Sequence, residues 1–204
     1  MRRALRVQLA VAAALWCVTV AETSVAASEF RRWGVAVGAG AAVPTGAYAD
    51  VLQVGTVVDV TGEYHVSPIF SAGLLGGFLS NPPKDAYAPP DVDASARLYR
   101  LFLFARYATP GTGTRLFGDL GLGAVNRKLV LEDPFSPASE VLEEERTRFG
   151  ALAGVGMQIA VGATTDLLPE VSYLWVPLSD DVILDASSQN SILATVALRF
   201  RFGP

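Results

Sequence analysis

"SILATVALRFRFGP", Ser191 to Pro204, is the stretch on which the fold turns. From Ile192 to Phe202 every second residue is apolar: Ile192, Ala194, Val196, Leu198, Phe200 and Phe202. Arg199 and Arg201 lie between the last of them. A period of two marks an extended strand, whose successive side chains face opposite ways. A strand with phenylalanines on one face and arginines on the other must divide a greasy environment from a polar one. Lipid outside and a packed polar interior inside meet that demand. In lipid a strand has to belong to a closed sheet, because its backbone N–H and C=O groups find no water.

Seven further segments alternate in the same way, each bounded by turn residues. They are Trp33 to Val43, Gly55 to Val66, Ile69 to Leu79, Arg97 to Tyr107, Arg115 to Arg127, Arg148 to Val161 and Leu167 to Val176. Most are the length that a tilted strand of about 9–11 residues needs to cross a bilayer. Their connections alternate short and long. "SP", "TPGTGT" and "ATTD" follow the second, fourth and sixth segments. "PTGAYADVLQ", "NPPKDAYAPPDVD", "EDPFSPASEVLEEERT" and "SDDVILDASSQN" follow the odd-numbered ones. Short turns at one end and long loops at the other predict an all-β, eight-stranded, antiparallel up-and-down transmembrane barrel, with both termini on the periplasmic, short-turn side.

The chain of 204 residues is 51% hydrophobic, yet past its first residues it has no long uninterrupted apolar run. Alternating strands produce that combination. Residues 1–27 read as a cleavable signal peptide: basic "MRRALR", apolar "VQLAVAAALWCV", then small residues before a cut after Ala27. Residues 28–204 form the barrel domain. Cleavage removes Cys17, the one cysteine, so disulfides, thiol nucleophiles and thiolate metal sites are excluded from the mature chain. The formal net charge of −4 becomes more negative without the leader, which argues against a nucleic-acid partner.

An eight-stranded barrel is filled by its own side chains. Parity sends Asp59, Glu63, Arg100, Arg106, Asp119, Glu170, Arg199 and Arg201 inward, with Arg32 and His65. Unpaired buried charges are costly, so these residues are expected to form a salt-bridged network, either a plug or a gate. Trp33, Tyr99, Tyr107, Phe200 and Phe202 face outward near the strand ends, where aromatic girdles gather at the headgroup levels. Glycines and alanines on the inner faces of the first, fifth and sixth segments make room for the larger groups. The long loops are acidic, with Asp85, Asp91 and Asp93, then Glu132, Asp133, Glu140, Glu143, Glu144 and Glu145, then Asp180, Asp181 and Asp185. They are a solvated surface, or a place where divalent cations bridge carboxylates to lipopolysaccharide phosphates, or where a protein partner of unknown identity docks.

With its leader, the opening strand "WGVAVGAGAAVPTGAYAD", the hairpin "GEYHVSPIFSAG" and the terminal "LRFRF", the chain resembles the small outer-membrane β-barrel proteins of Gram-negative bacteria, the OmpA/OmpX/OmpW-like or porin-family barrel domains. The resemblance covers residues 28–204. It implies the cell outer membrane, contact with outer-membrane lipid and lipopolysaccharide, and handling by the barrel assembly machinery; no cofactor is expected, since one histidine and no cysteine in the mature chain leave only carboxylates for a metal. The assembly signal usually ends on its aromatic, whereas Gly203 and Pro204 follow Phe202 here. Members differ in activity. The leading expectation is a non-enzymatic, structural or surface-interaction protein without catalytic or metal-ligating residues, and the alternative is a narrow pore for ions or small solutes. A lipid A-modifying enzyme is a weaker alternative: His65 and Ser67 form a His-x-Ser pair like that of outer-membrane deacylases, but both point inward by parity. A soluble lipocalin-type barrel would instead bury Phe200 and Phe202.

Overall fold

A computed structural model describes residues 31–84, 93–132, 144–177 and 188–203. Eight strands follow one another: β1 (Trp33–Thr45), β2 (Gly55–Ser67), β3 (Phe70–Asn81), β4 (Asp93–Ala108), β5 (Arg115–Glu132), β6 (Glu144–Ala160), β7 (Thr165–Pro177) and β8 (Ser188–Phe202). Each pairs antiparallel with its sequence neighbours, and β8 pairs with β1 to close the barrel. Trp33 opposes Phe202 and Thr45 opposes Asn190 along that seam. No sheet edge is left open, which is the condition for strands to stand in hydrocarbon.

The alternation read in the sequence is the alternation of the wall. On β8, Ile192, Val196, Leu198, Phe200 and Phe202 are exposed while Leu193 and Arg199 are buried. Arg199 is only 1% exposed and Phe200 51%, so the apolar face looks outward and the lipocalin arrangement is wrong. β2 and β3 meet in a turn two residues long, Pro68 and Ile69, with a register shift between His65 and Ser67. The Ser67 hydroxyl accepts from the backbone N–H of Phe70 at 3.1 Å.

The strands run further than the periodicity suggested. β4, β5, β6 and β8 each extend toward the long-loop end, β5 to Glu132 and β6 back to Glu144. From Glu144 on, "EERTRF" therefore belongs to β6. At the same end the chain after β1 turns at Gly46, whose φ of +65° suits glycine, into a single helical turn, α1 (Tyr48–Val51). α1 drops Tyr48 into the barrel mouth, where its hydroxyl accepts from Arg127 at 2.6 Å. The segment is held by Asn81, which donates to the carbonyls of Ala42 and Gln53.

The interior is not uniformly polar, and here the expectation is corrected. Its outer half is an apolar core of Ala42, Val57, Leu79, Leu98, Phe102, Val125, Leu152, Leu174, Val176 and Leu193. Most inward charges occupy the middle and the periplasmic half, and Arg127 lies apart from them at the mouth. The inward positions near the outer strand ends are themselves apolar, so lipid-facing and core-facing residues are both greasy there and the period of two fades.

Candidate functional site in the barrel interior

The polar layer is built from short register relations between strands. Asp59 of β2, Gly77 of β3 and Arg100 of β4 stand in one row. Because Gly77 has no side chain, Arg100 reaches across β3, and its Nη2 lies 2.6 Å from both carboxylate oxygens of Asp59. A methyl group on Gly77 would collide with that ion pair. One row of β4 and β5 pairs Arg106 with Asp119 directly. Arg106 Nε and Nη2 fork onto the two Asp119 oxygens at 2.8 and 2.6 Å, the geometry that makes an arginine–carboxylate pair strong. The Arg106 guanidinium also lies 4.1 Å over the Phe117 ring, and Glu170 of β7 is 3.5 Å from it.

Glu63 is the hub. Its Oε1 accepts from Arg199 Nη1 at 2.8 Å and lies 3.4 Å from His65 Nε2. Its Oε2 accepts from the Ser71 hydroxyl at 3.1 Å and lies 3.7 Å from Arg106. Arg199 donates through Nε and Nη2 to Asp166 Oδ2, and Arg201 Nε lies 3.0 Å from the same oxygen. A charged chain thus runs from Arg201 through Asp166, Arg199, Glu63 and Arg106 to Asp119 and Glu170. The separate Arg100–Asp59 pair lies beside it. The eight charged residues read from parity all stand on the inner wall.

Two positions differ. Arg32 is exposed and donates to the Tyr64 hydroxyl at 3.1 Å, because β1 begins one residue later and alternation no longer governs it. Asp166, fully buried and shared by two arginines, was read as part of the "ATTD" turn. Its phase with Leu168 and Glu170 was the available signal. Sequence reasoning also passed over Ser71, Gly77 and Tyr48, whose roles depend on neighbours far away in the chain. Ile159, outward by alternation, is buried.

On the outer wall Trp33, Tyr99, Tyr107, Phe200 and Phe202 are all exposed. Trp33 stacks edge-on against Tyr64 at 4.9 Å and Phe78 packs on Tyr99 at 5.2 Å. Asp85, Asp91, Asp133, Glu140, Glu143, Asp180, Asp181 and Asp185 lie outside the described residues, as do residues 1–27. Among the described residues no group of three His, Cys, Asp or Glu side chains is placed to hold a metal ion.

His65 and Ser67 do not make a catalytic pair in this arrangement. Ser67 caps its turn, and His65 faces Glu63. The serine nearest the acid, Ser71, donates to Glu63 itself, so no histidine stands between hydroxyl and carboxylate to take a proton. Between the ion pairs and the apolar core lies a cavity of about 30 Å³, lined by Asp59, Arg100, Arg106, Asp119 and Glu170 among others, room for a water molecule or so.

Closed wall, outward aromatics and filled lumen together define a small integral β-barrel of the outer membrane. The chain belongs to the outer membrane protein beta-barrel domain family, which it matches over residues 10–200. No curated protein sequence matches it. Among solved structures it is similar in fold to Neisserial surface protein A, with 14% identity, 83% of this chain and 97% of that one covered, and a TM-score of 0.62. A major outer membrane protein of Thermus thermophilus gives 14%, 83%, 99% and 0.53. The outer membrane protein OprG of Pseudomonas aeruginosa gives 10%, 88%, 100% and 0.51.

Proposed function

We propose that this protein is a non-conducting, non-enzymatic barrel, exported behind a leader cut after Ala27, inserted by the barrel assembly machinery through its "LRFRF" end, and acting through its outer surface and its lipid contacts. The observation that carries this reading is the apolar core across the outer half of the lumen. Leu79, Phe102 and Leu193 are fully buried there, and a packed apolar layer across the bore opposes the passage of ions. Catalysis is disfavoured by the wiring around Glu63, in which Ser71 and His65 both turn to the acid. Lipid and lipopolysaccharide are the partners that an outward apolar band with aromatic rims meets first, and an acidic exported chain is a poor match for nucleic acid.

The test is single-channel recording on the mature protein in planar bilayers, with insertion shown independently by heat-modifiable migration in gels. The expected result is silence from inserted protein. Discrete conductance steps from the unaltered chain would replace this reading with the pore.

A further inference from the structure

The short-turn end of the barrel presents charge of one sign. Its three turns, residues 68–69, 109–114 and 161–164, include no Asp or Glu. Asp166, just beyond the last turn, is buried beneath Arg199 and Arg201. Arg115, at the start of β5, folds onto the Pro68 carbonyl and the Gln158 side chain. That leaves Arg31, half-buried, and Arg32, exposed, side by side ahead of β1.

Arg32 is held in place. Its carbonyl accepts from the backbone N–H of His65 at 2.7 Å, so the β1–β2 ladder runs one residue past Trp33. Its guanidinium donates to the Tyr64 hydroxyl at 3.1 Å, and Tyr64 is itself set edge-on against Trp33. The hydroxyl is neutral, so it positions the charge without cancelling it. Phe202, Trp33 and Tyr64 are register neighbours on β8, β1 and β2. An outward aromatic row of this kind lies at the headgroup level, which puts the Arg32 guanidinium among the phosphates of the inner leaflet. The wall above the row is bare. Two residues up β2 is Gly62, between Val35 of β1 and Leu74 of β3. A step further up, on β3, is Gly76, between Val60 and Leu101. A methyl group on either glycine would meet nothing within 4 Å. Aliphatic side chains therefore flank a shallow diagonal furrow that climbs from Tyr64 toward the middle of the wall.

We propose that Arg31 and Arg32 hold the headgroup of an anionic phospholipid of the inner leaflet, with Tyr64 fixing the Arg32 guanidinium and the furrow over Gly62 and Gly76 receiving an acyl chain. Each guanidinium offers a planar fork to two phosphate oxygens. A headgroup with its own ammonium is disfavoured, because two like charges already stand there. The site rests on the lipid contacts proposed above, and its outcome is independent of conductance, which tests that reading separately.

The experiment is native mass spectrometry of the refolded mature protein in detergent. The probes are phosphatidylglycerol, phosphatidylethanolamine with the same acyl chains, and glycerol phosphate as a free headgroup. The expected result is binding of phosphatidylglycerol about 10-fold tighter than of phosphatidylethanolamine. One cation beside an anionic headgroup contributes roughly 5-fold, so the preference falls by about that factor in Arg31→Gln and in Arg32→Gln. Both residues lie outside the strands, so these variants leave the wall intact, and heat-modifiable migration checks it. Arg115→Gln removes the same charge from the same end and keeps the preference. Gly62→Leu fills the furrow, weakens both lipids and keeps their ratio. Equal binding of the two lipids, or a preference that survives both arginine variants, overturns the site. An equal fall in Arg115→Gln would show diffuse charge and overturn it too. Unchanged affinities in Gly62→Leu overturn the furrow, and displacement of the lipid by millimolar glycerol phosphate overturns the lipid assignment in favour of a free anion.

Discussion

Glu63 carries more of the barrel's polar order than any neighbour, since two arginines, a histidine and a serine converge on its two oxygens. Glu63→Gln keeps the shape but removes the charge facing Arg199 and Arg106. Breaking one side of a buried ion pair costs about 3–5 kcal/mol because a charge is left uncompensated. Loss of the one Ser71 bond to a carboxylate, in Ser71→Ala, costs about 1.5–3 kcal/mol. Urea unfolding in lipid vesicles, followed by tryptophan fluorescence, should rank them in that order. Gly77 tests the other kind of residue, one whose role is to be absent. Gly77→Ala should destabilise the barrel in the native background and much less in Asp59→Ala/Arg100→Ala, where nothing crosses β3. A double-mutant cycle with additive costs would show that the glycine does not make room for the pair. Parity was enough to send these charges inward. It could not choose partners, because Glu63 and Arg199 are 136 residues apart in sequence and meet only through the β1 seam. It also misled at Arg32, one residue outside the strand that would have governed it.

At the scale of the strand, legibility followed contrast between the two faces. β8 alternates Phe with Arg and was plain. β4 reads "LYRLFLF" from Leu98 to Phe104, apolar on both faces apart from Arg100. Its inward Leu98 and Phe102 were masked by outward Leu101 and Leu103, and the apolar core stayed hidden. Strand ends were short by a few residues because alternation gives no stop signal where the hairpin leaves the bilayer and continues in water. β7 holds a proline within its length. Pro169 pairs with Val196 of β8, but the β6–β7 ladder skips from Gly156–Glu170 to Ile159–Leu167. The Pro169 carbonyl points to the β6 side, 2.5 Å from where a Gly156 Cβ would stand, so the missing N–H also faces β6. Proline cannot donate there. Pro169→Val, on the lipid face, restores a donor to the ladder. It should raise stability by about 0.5–1.5 kcal/mol, the net worth of one hydrogen bond, seen as a higher midpoint for loss of the fast-migrating folded form in heated gel samples. No rise, or a fall, would mean that the wall there depends on the interruption.

On the proposed non-conducting reading, two layers of unlike physics close the lumen among the described residues. Toward the loops the barrier is packing, with Leu79, Phe102 and Leu193 fully buried in one apolar cluster. Toward the periplasm it is ionic, with Glu63, Arg106, Asp119, Asp166 and Arg199 each paired with another member. The two layers lie in series, so opening either leaves the other shut. Leu79→Ala/Phe102→Ala/Leu193→Ala should stay silent in a planar bilayer although each truncation removes about 2–5 kcal/mol of packing. Glu63→Ala/Arg199→Ala removes one carboxylate and one guanidinium together, keeps the lumen's net charge, and should also stay silent. The two sets combined should give discrete conductance steps, provided that the protein still shows heat-modifiable migration. Conductance from the leucine and phenylalanine truncations alone would make the ionic layer permeable as it stands. Conductance from the Glu63 and Arg199 pair alone would make the apolar layer the leaky one. Silence from a folded combined variant would place a further closure at the mouth, where Tyr48 and Arg127 meet.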